Sequence, residues 1–264
     1  MRIDIFLAEK GFVKSRTEAK ELLKSGAVSV GGQTVTKPAF RIDGLEERIV
    51  VDRSLIKYVS RGGLKLEKAL RDFGVNPTGY VCSDSGASTG GFTDCLLQQG
   101  ASKVFAIDVG YGELNWKIRN DPRVVVMERT NIRYVTPEDL GEPLDLSVID
   151  VSFIGLELVL PTIKNLLKPG EGQVLCLIKP QFEAGRENLG KNGVVREPKI
   201  HQMVLDNFVS LVHGLGFKIL GLTFSPVKGP EGNIEFLGHL SLDDVEGIRP
   251  DTADVVRQAH ATLS

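Results

Sequence analysis

At several points in this 264-residue chain an apolar run stops on a charge. Asp84 closes Tyr80–Asp84, Asp108 closes Lys103–Asp108, Asp150 closes Leu146-Ser-Val-Ile-Asp150, and Lys179 closes Val174-Leu-Cys-Leu-Ile-Lys179. An ammonium placed directly after five apolar residues is unusual unless it faces a site or a carboxylate. Glu235 lies among apolar neighbours in Gly232-Asn-Ile-Glu-Phe-Leu237, and Lys65 follows Ser60-Arg61-Gly62-Gly63-Leu64, where a helix should begin. Asp84 opens into Ser85-Gly86-Ala-Ser-Thr-Gly90-Gly91-Phe92. Glycines there let the backbone approach a ligand closely. An acid at the tip of the next strand, Asp108, is placed to bond both hydroxyls of a ribose. The spacing Asp-x-Gly-x-x-x-Gly-Gly is not the dinucleotide pattern Gly-x-Gly-x-x-Gly. It fits better a nucleoside ligand with no pyrophosphate to cradle, such as S-adenosylmethionine (SAM).

Strand-tip chemistry of this kind needs a sheet whose carboxyl edge gathers the tips. From Arg61 onward the pattern alternates between strands and helices. Candidate strands are Tyr80–Asp84, Lys103–Asp108, Val124–Glu128, Asp145–Asp150, Gly172–Lys179, Lys218–Phe224 and Asn233–Leu240, with helices at Gly155–Leu167 and Pro198–Leu215 among others. Alternation predicts a mainly parallel, doubly wound α/β sheet covered on both faces, with the last two strands as an antiparallel hairpin at one end. The loop 181–198, rich in Gly, Asn and charge, is long for a compact domain, and its place after Lys179 predicts a segment that closes over substrate.

Residues 1–52 read as a separate α+β unit. A helix over Arg2–Lys10 ends at Gly11. Ser15 and Glu18 form a capping box for a second helix, and Ala19, Leu22 and Leu23 give that helix its apolar stripe. Ala27–Val30, the turn Gly31-Gly32 and Gln33–Thr36 then predict a hairpin. Arg16, Lys20 and Lys24 are four apart and share one face of the second helix. Residues 53–60 link the two units without a Gly/Ser-rich tract. Residues 1–57 hold 11 Lys/Arg against 8 Asp/Glu, whereas the remainder holds 21 against 26. A basic head on a mildly acidic body points to a polyanionic partner.

Composition sets the outer limits. A hydrophobic content of 42% and a charged content of 25% are those of an ordinary globular chain. No apolar run reaches about 18 residues, and the start Met-Arg-Ile-Asp-Ile-Phe has no signal-peptide layout, so a cytoplasmic protein without a membrane span is expected. Cys82, Cys95 and Cys176 lack metal-ligand spacing and read as buried thiols. No metal site is expected.

Two sets of motifs carry a resemblance. Arg2-x-Asp4-x-x-Leu7, Gly11, Ser15-Arg16, Ala19, Leu22-Leu23, Gly26-x-Val28-x-Val30, Gly32-x-x-Val35 and Lys37-Pro38 resemble the small S4-type RNA-binding domain, which implies RNA contacts from Arg2, Arg16, Lys20 and Lys37, with Arg61 beyond it. Lys65, Asp150, Lys179 and Glu235, in that order, resemble the Lys-Asp-Lys-Glu tetrad of FtsJ-type ribose 2′-O-methyltransferases. Together with Asp84-x-Gly86-x-x-x-Gly90-Gly91-Phe92, Asp108-Val-Gly-Tyr-Gly112, Glu128-Arg-Thr-Asn131, Asp150-Val-Ser-Phe153 and Ile178-Lys-Pro-Gln-Phe182, they make the whole chain similar to the TlyA or hemolysin A family of rRNA methyltransferases. The resemblance implies a seven-stranded Rossmann-like SAM methyltransferase domain over 58–264 behind an RNA-binding domain over 1–57. It also implies SAM held by Asp84, Ser85, Gly86, Gly90, Gly91, Phe92, Asp108 and Asn131, and ribosomal RNA or ribosomal subunits as partner. Lys179 would bind or deprotonate the hydroxyl, with Asp150 and Lys65 holding it and Glu235 orienting the other lysine or the hydroxyl. Three other classes compete. A methyltransferase acting on a base or protein lacks here the Asn-Pro-Pro-Tyr type motif of amino-group enzymes, with Asp150-Val-Ser-Phe153 in its place. A non-catalytic SAM-binding assembly protein has no need of all four charged residues, and a membrane-active toxin finds no support in this chain's composition.

Overall fold

A computed structural model describes residues 1–13, 15–52, 57–229 and 232–263. In the N-terminal unit, α1 (Ile3–Glu9) and α2 (Arg16–Lys24) pack over a three-stranded antiparallel sheet of β1 (Val28–Val30), β2 (Gln33–Thr34) and β3 (Ile49–Val51), in the order β2-β1-β3. Ala19, Leu22 and Leu23 are buried with Ile3, Leu7, Val28 and Ile42, so the expected apolar stripe is the core of this unit. The Glu18 side chain, half of the expected capping box, lies outside the described residues, as do residues 53–56 of the linker. The strand β3 was not anticipated from sequence. It pairs with β1 from twenty residues downstream, through a segment with no period-2 pattern to announce it.

The larger unit holds β4 (Val81–Ser85), β5 (Lys103–Ile107), β6 (Val124–Met127), β7 (Leu146–Ile149), β8 (Gln173–Ile178), β9 (Lys218–Phe224) and β10 (Phe236–Ser241). They form one seven-stranded sheet in the order β6-β5-β4-β7-β8-β10-β9. β10 alone is antiparallel to both its neighbours, lying between β8 and β9. The helices are α3 (Gly62–Phe73), α4 (Gly91–Gln98), α5 (Trp116–Arg119), α6 (Pro137–Leu140), α7 (Leu160–Leu166), α8 (Pro180–Glu183), α9 (Pro198–Gly214) and α10 (Thr252–Leu263). Side-chain alternation sorts the strands between two cores. Val104, Ala106, Leu146, Val148, Leu175 and Leu177 face α3 and α4, while Phe105, Ile107, Ile149, Val174, Cys176 and Ile178 face α7 and α9. Strands buried on both faces read as continuous apolar runs, which is why these were legible in the sequence.

Three expectations need revision. The helix predicted over Gly155–Leu167 is a 3₁₀ turn at Leu156–Leu158 followed by α7, with Pro161 in the first turn of α7, where its missing N–H costs nothing. The last predicted strand begins at Phe236, leaving Glu235 just ahead of it. The segment 181–198 is not an open loop. It contains the end of α8 and two 3₁₀ turns, with Ala184, Val194 and Val195 buried, and the Val195 N–H donates to Asn233 Oδ1 at 3.0 Å. All three cysteines are free and buried, as expected. Among the described residues, no helix is long and apolar enough to cross a membrane.

α3 and α4 start side by side, and glycine permits it. A Cβ on Gly63 would come within 2.2 Å of the buried Tyr58 ring, and one on Gly91 within 3.0 Å of the Gly63 nitrogen. Gly63→Ala should therefore destabilise the protein by about 1–3 kcal/mol through overpacking. Urea unfolding would show this as a lower midpoint with an unchanged slope; an unaltered midpoint would mean that Tyr58 simply moves aside.

Candidate active site

Strand order reverses between β4 and β7, because the chain leaves β4 toward β5 and β6 and returns to β7 on the other side. A doubly wound sheet opens its ligand crevice at such a point. The loops leaving the two strands touch there: the Asp150 N–H donates to the Ser85 carbonyl at 2.9 Å, and a Cβ on Gly86 would lie 2.6 Å from the Asp150 carbonyl oxygen. Gly86 also has φ +87°, so both space and backbone require glycine.

Asp84 is fully buried at the end of β4. Its Oδ2 accepts from the Thr93 N–H at 2.9 Å and the Thr93 hydroxyl at 2.7 Å, tying the strand to the first turn of α4. Its Oδ1 and the neighbouring Ser85 Oγ are buried without a hydrogen-bond partner. Burial pushes the Asp84 pKa up to about 7; the Thr93 bonds oppose that shift, and the charges of Asp150 and Asp108 add to it. Gly90 turns into α4 at φ +92°, packed against Leu114, and Phe92 is buried beside Gly62.

At the tip of β5, Asp108 Oδ2 accepts from the Ser88 N–H at 2.8 Å and Oδ1 from the Gly110 N–H at 2.7 Å. It thus holds two loops at the crevice by their backbones. Asn131, expected near a ligand, is the N-cap of the 3₁₀ turn Ile132–Tyr134, its Oδ1 accepting from the Arg133 N–H at 3.1 Å.

Four charges converge on the other side of the crevice, as two ion pairs. Lys65, in the first turn of α3, places Nζ 2.5 Å from Glu235 Oε2, and Lys179, after β8, places Nζ 2.5 Å from Asp150 Oδ1. Lys65 and Lys179 are each 7% exposed and Glu235 0%. Burial works against the charge on Lys65, but the carboxylates of Asp150 and Glu235 outweigh it and hold its pKa above the ordinary lysine value. Lys65 is therefore an ammonium at neutral pH, a fixed positive charge and not a base. Lys179 also donates to Ser152 Oγ at 3.1 Å, and Gln181 Nε2 donates to Glu235 Oε1 at 3.4 Å. Sequence reasoning gave Ser152 and Gln181 no role, although each lies two residues beyond a residue it did single out.

A cleft of about 200 Å³ joins these halves, lined by Arg61, Lys65, Gly86, Gly91, Phe92 and Asp150 among others. In the N-terminal unit, Arg2 and Arg16 both turn onto the buried Asp4: Arg2 Nε lies 3.0 Å from Oδ1 and Arg16 Nη2 3.0 Å from Oδ2. Lys20 and Lys37 are exposed. Among the described residues no group of acids, histidines and cysteines could hold a metal.

A doubly wound seven-stranded sheet with a glycine loop at its switch point and this charge set beside it is the architecture of a methyltransferase. The chain belongs to the FtsJ-like methyltransferases, whose family model matches residues 58–242, and an S4 domain matches residues 1–49. It is 47% identical to YqxC of Bacillus subtilis, a candidate rRNA methyltransferase, over 99% of this chain and 95% of that one. It is 43% identical to the 16S/23S rRNA (cytidine-2′-O)-methyltransferase TlyA of Mycobacterium tuberculosis, over 89% and 87% of the two chains. A solved structure from Streptococcus thermophilus, described as a candidate hemolysin, superposes with a TM-score of 0.79 at 43% identity, covering 99% and 96% of the two chains. The methyl donor of the family is SAM. The crevice fits it: Gly86 and Gly90 bring the backbone of the β4–α4 loop close to its neighbours, and Asp84 Oδ1 and Ser85 Oγ are buried polar atoms without a hydrogen-bond partner among the described residues.

Burial of Asp84 predicts a pH signature. Its native pKa lies above its unfolded value, so between about pH 4 and 7 the native state binds the extra proton and stability falls as pH rises. Above pH 7 that loss is complete. Asp84→Asn keeps an acceptor for Thr93 and removes the titration. The difference in unfolding free energy between the variant and the parent protein should then grow from pH 4 to 7, by a few kcal/mol, and level off. A flat difference across that range would mean that Asp84 is charged throughout.

Proposed function

We propose that the protein transfers the SAM methyl group to a ribose 2′-hydroxyl of ribosomal RNA, presented on a ribosomal subunit, with residues 1–57 as docking domain and 58–264 as catalytic domain. The observation that supports this most is the pair of buried ion pairs beside the glycine loop. Removing the charges of Lys65, Lys179 and Glu235 from water, with Asp150 part-exposed beside them, costs several kcal/mol per buried ion before pairing, a cost that is hard to explain unless the charges handle a substrate. The names of the relatives, an rRNA (cytidine-2′-O)-methyltransferase among them, agree with this reading.

SAM supplies a methyl group already activated on sulfonium. What the chain must do is bring a poor nucleophile into line with it. Lys179 meets the hydroxyl oxygen, and Asp150 with Ser152 holds the Lys179 ammonium in place. Lys179 would pass one of its protons to the Asp150 carboxylate and take the hydroxyl proton in its place, so that the proton ends on Asp150 and the oxygen is free to take the methyl group that bound SAM would supply. Lys65, kept charged and anchored by Glu235, fixes the electrostatics of the pocket. Asp84, Ser85, Gly86, Gly90 and Gly91 form the cofactor wall with Phe92 behind them, and Asp108 offers its remaining lone pairs to ribose hydroxyls. Asn131 contributes through the turn it caps. Arg2 and Arg16, oriented by Asp4, with Lys20, Lys37 and Arg61, contact RNA phosphates. A SAM-binding assembly factor without catalysis would have no use for two buried lysines in a donor pocket.

Incubation with radiolabelled SAM and separate ribosomal subunits, followed by nuclease mapping, should place the label on a ribose. Lys179→Ala should lower transfer at least about 100-fold while SAM affinity, measured by calorimetry, stays within a few-fold. Label on a base would refute the reaction, and undiminished transfer would remove Lys179 from its role.

A further inference from the structure

The quartet Lys65, Asp150, Lys179 and Glu235 sums to zero charge, so it cannot itself neutralise an incoming phosphodiester. The rim of the same cleft can. Three cations line it from three separate parts of the chain: Lys24 from the last turn of α2, Arg61 from the N-cap of α3, and Lys228 from the turn between β9 and β10. None has a carboxylate partner among the described residues, whereas Lys57, Lys68, Lys103 and Lys168 elsewhere in this chain are each ion-paired.

Glycine contacts place all three. A Cβ on Gly26, two residues after Lys24, would lie 2.6 Å from Arg61 Cδ and 3.0 Å from Nε, so the Arg61 side chain lies across the end of α2. A Cβ on Gly229, next to Lys228, would lie 2.1 Å from Glu235 Oε1, so the turn that carries Lys228 meets the Glu235 carboxylate at Gly229. Arg61 is also near enough to Lys65 for the two positive charges to repel. Cations that line the mouth of a neutral site, with no carboxylate partner among the described residues, are a receptor for an anion.

We propose that Lys24, Arg61 and Lys228 form a clamp for one phosphate of the RNA, the one next to the nucleotide entering the cleft. Lys24 then makes the N-terminal domain part of the catalytic cleft and not only a distant anchor. The clamp rests on the reading that RNA is the substrate, but not on which atom receives the methyl group.

The test uses the full chain carrying Lys24→Gln, Arg61→Gln and Lys228→Gln together, and bacterial ribosomal RNA as the probe. Binding is measured by filter retention across a salt series without SAM. Three cations that share one phosphate should lower the slope of log affinity against log salt by about 0.7–0.9, the value for a single contact. Lys228→Gln alone should lower the slope by a measurable fraction of that loss, and serves if the triple variant does not fold. SAM affinity should not change. An unchanged slope overturns the clamp, as does a fall of about two or more, which would mean separate phosphates. Weakened SAM binding overturns it as well, since the cations would then hold the cofactor's carboxylate. A methyl group mapped to a base, with the slope lowered as expected, would refute the proposed reaction and leave the clamp standing.

Discussion

The Lys65–Glu235 pair is the interaction on which the rest of the site depends. It joins residues 170 positions apart, from the first turn of α3 to the entry of β10, across the carboxyl edge of the sheet. A buried ammonium and a buried carboxylate are each strongly unfavourable alone. α3 and β10 must therefore both be in place before either charge is tolerable. The Lys179–Asp150 pair sets the same condition between β7 and β8. Breaking either pair leaves an uncompensated charge in the crevice, so the catalytic geometry and the closure of the sheet edge stand or fall together.

Around those pairs the chain uses backbone proximity in place of side-chain bulk. Gly86 lets the β4 and β7 loops meet, and Gly62, Gly63 and Gly91 let α3 and α4 begin almost in contact. Gly229 lets a turn lie on Glu235. Asp84 and Asp108 then hold the loops by accepting from Thr93, Ser88 and Gly110. Glycine at these positions keeps peptide groups close together beside the cleft, fixed by two acids, in spaces that larger residues would fill.

Much of this was legible in the sequence, and for a physical reason. Parallel strands buried on both faces carry no charges in their interior, so Asp84, Asp150 and Lys179 stood out as the first charges after apolar runs. Glu235 was visible as an acid amid apolar residues, though its strand starts one residue later. What stayed hidden depends on distant pairing or on competing local roles. β3 exists only through β1. Asn131 caps the turn Ile132–Tyr134 with its side chain, a local role that an amide before a turn can take and that the sequence did not announce. The segment after Lys179 read as an open loop because its Gly and Asn content masks the anchors Val194 and Val195. Lys24 looked like one more solvated lysine on a helix face, and only the meeting of α2 with Arg61 brings it to the cleft.

The reversed direction of β10 has a consequence for the order in which the enzyme is made. Because that strand enters the sheet at the carboxyl edge, Glu235 arrives at a site whose other three charged members are already synthesised. A nascent chain that has formed β4 to β8 and α3 presents the cofactor wall, Lys65, Asp150 and Lys179, but Lys65 has no carboxylate of its own until β10 is inserted. The four-charge cluster is thus completed late in translation, and the sheet's one antiparallel strand closes both the sheet and the cluster.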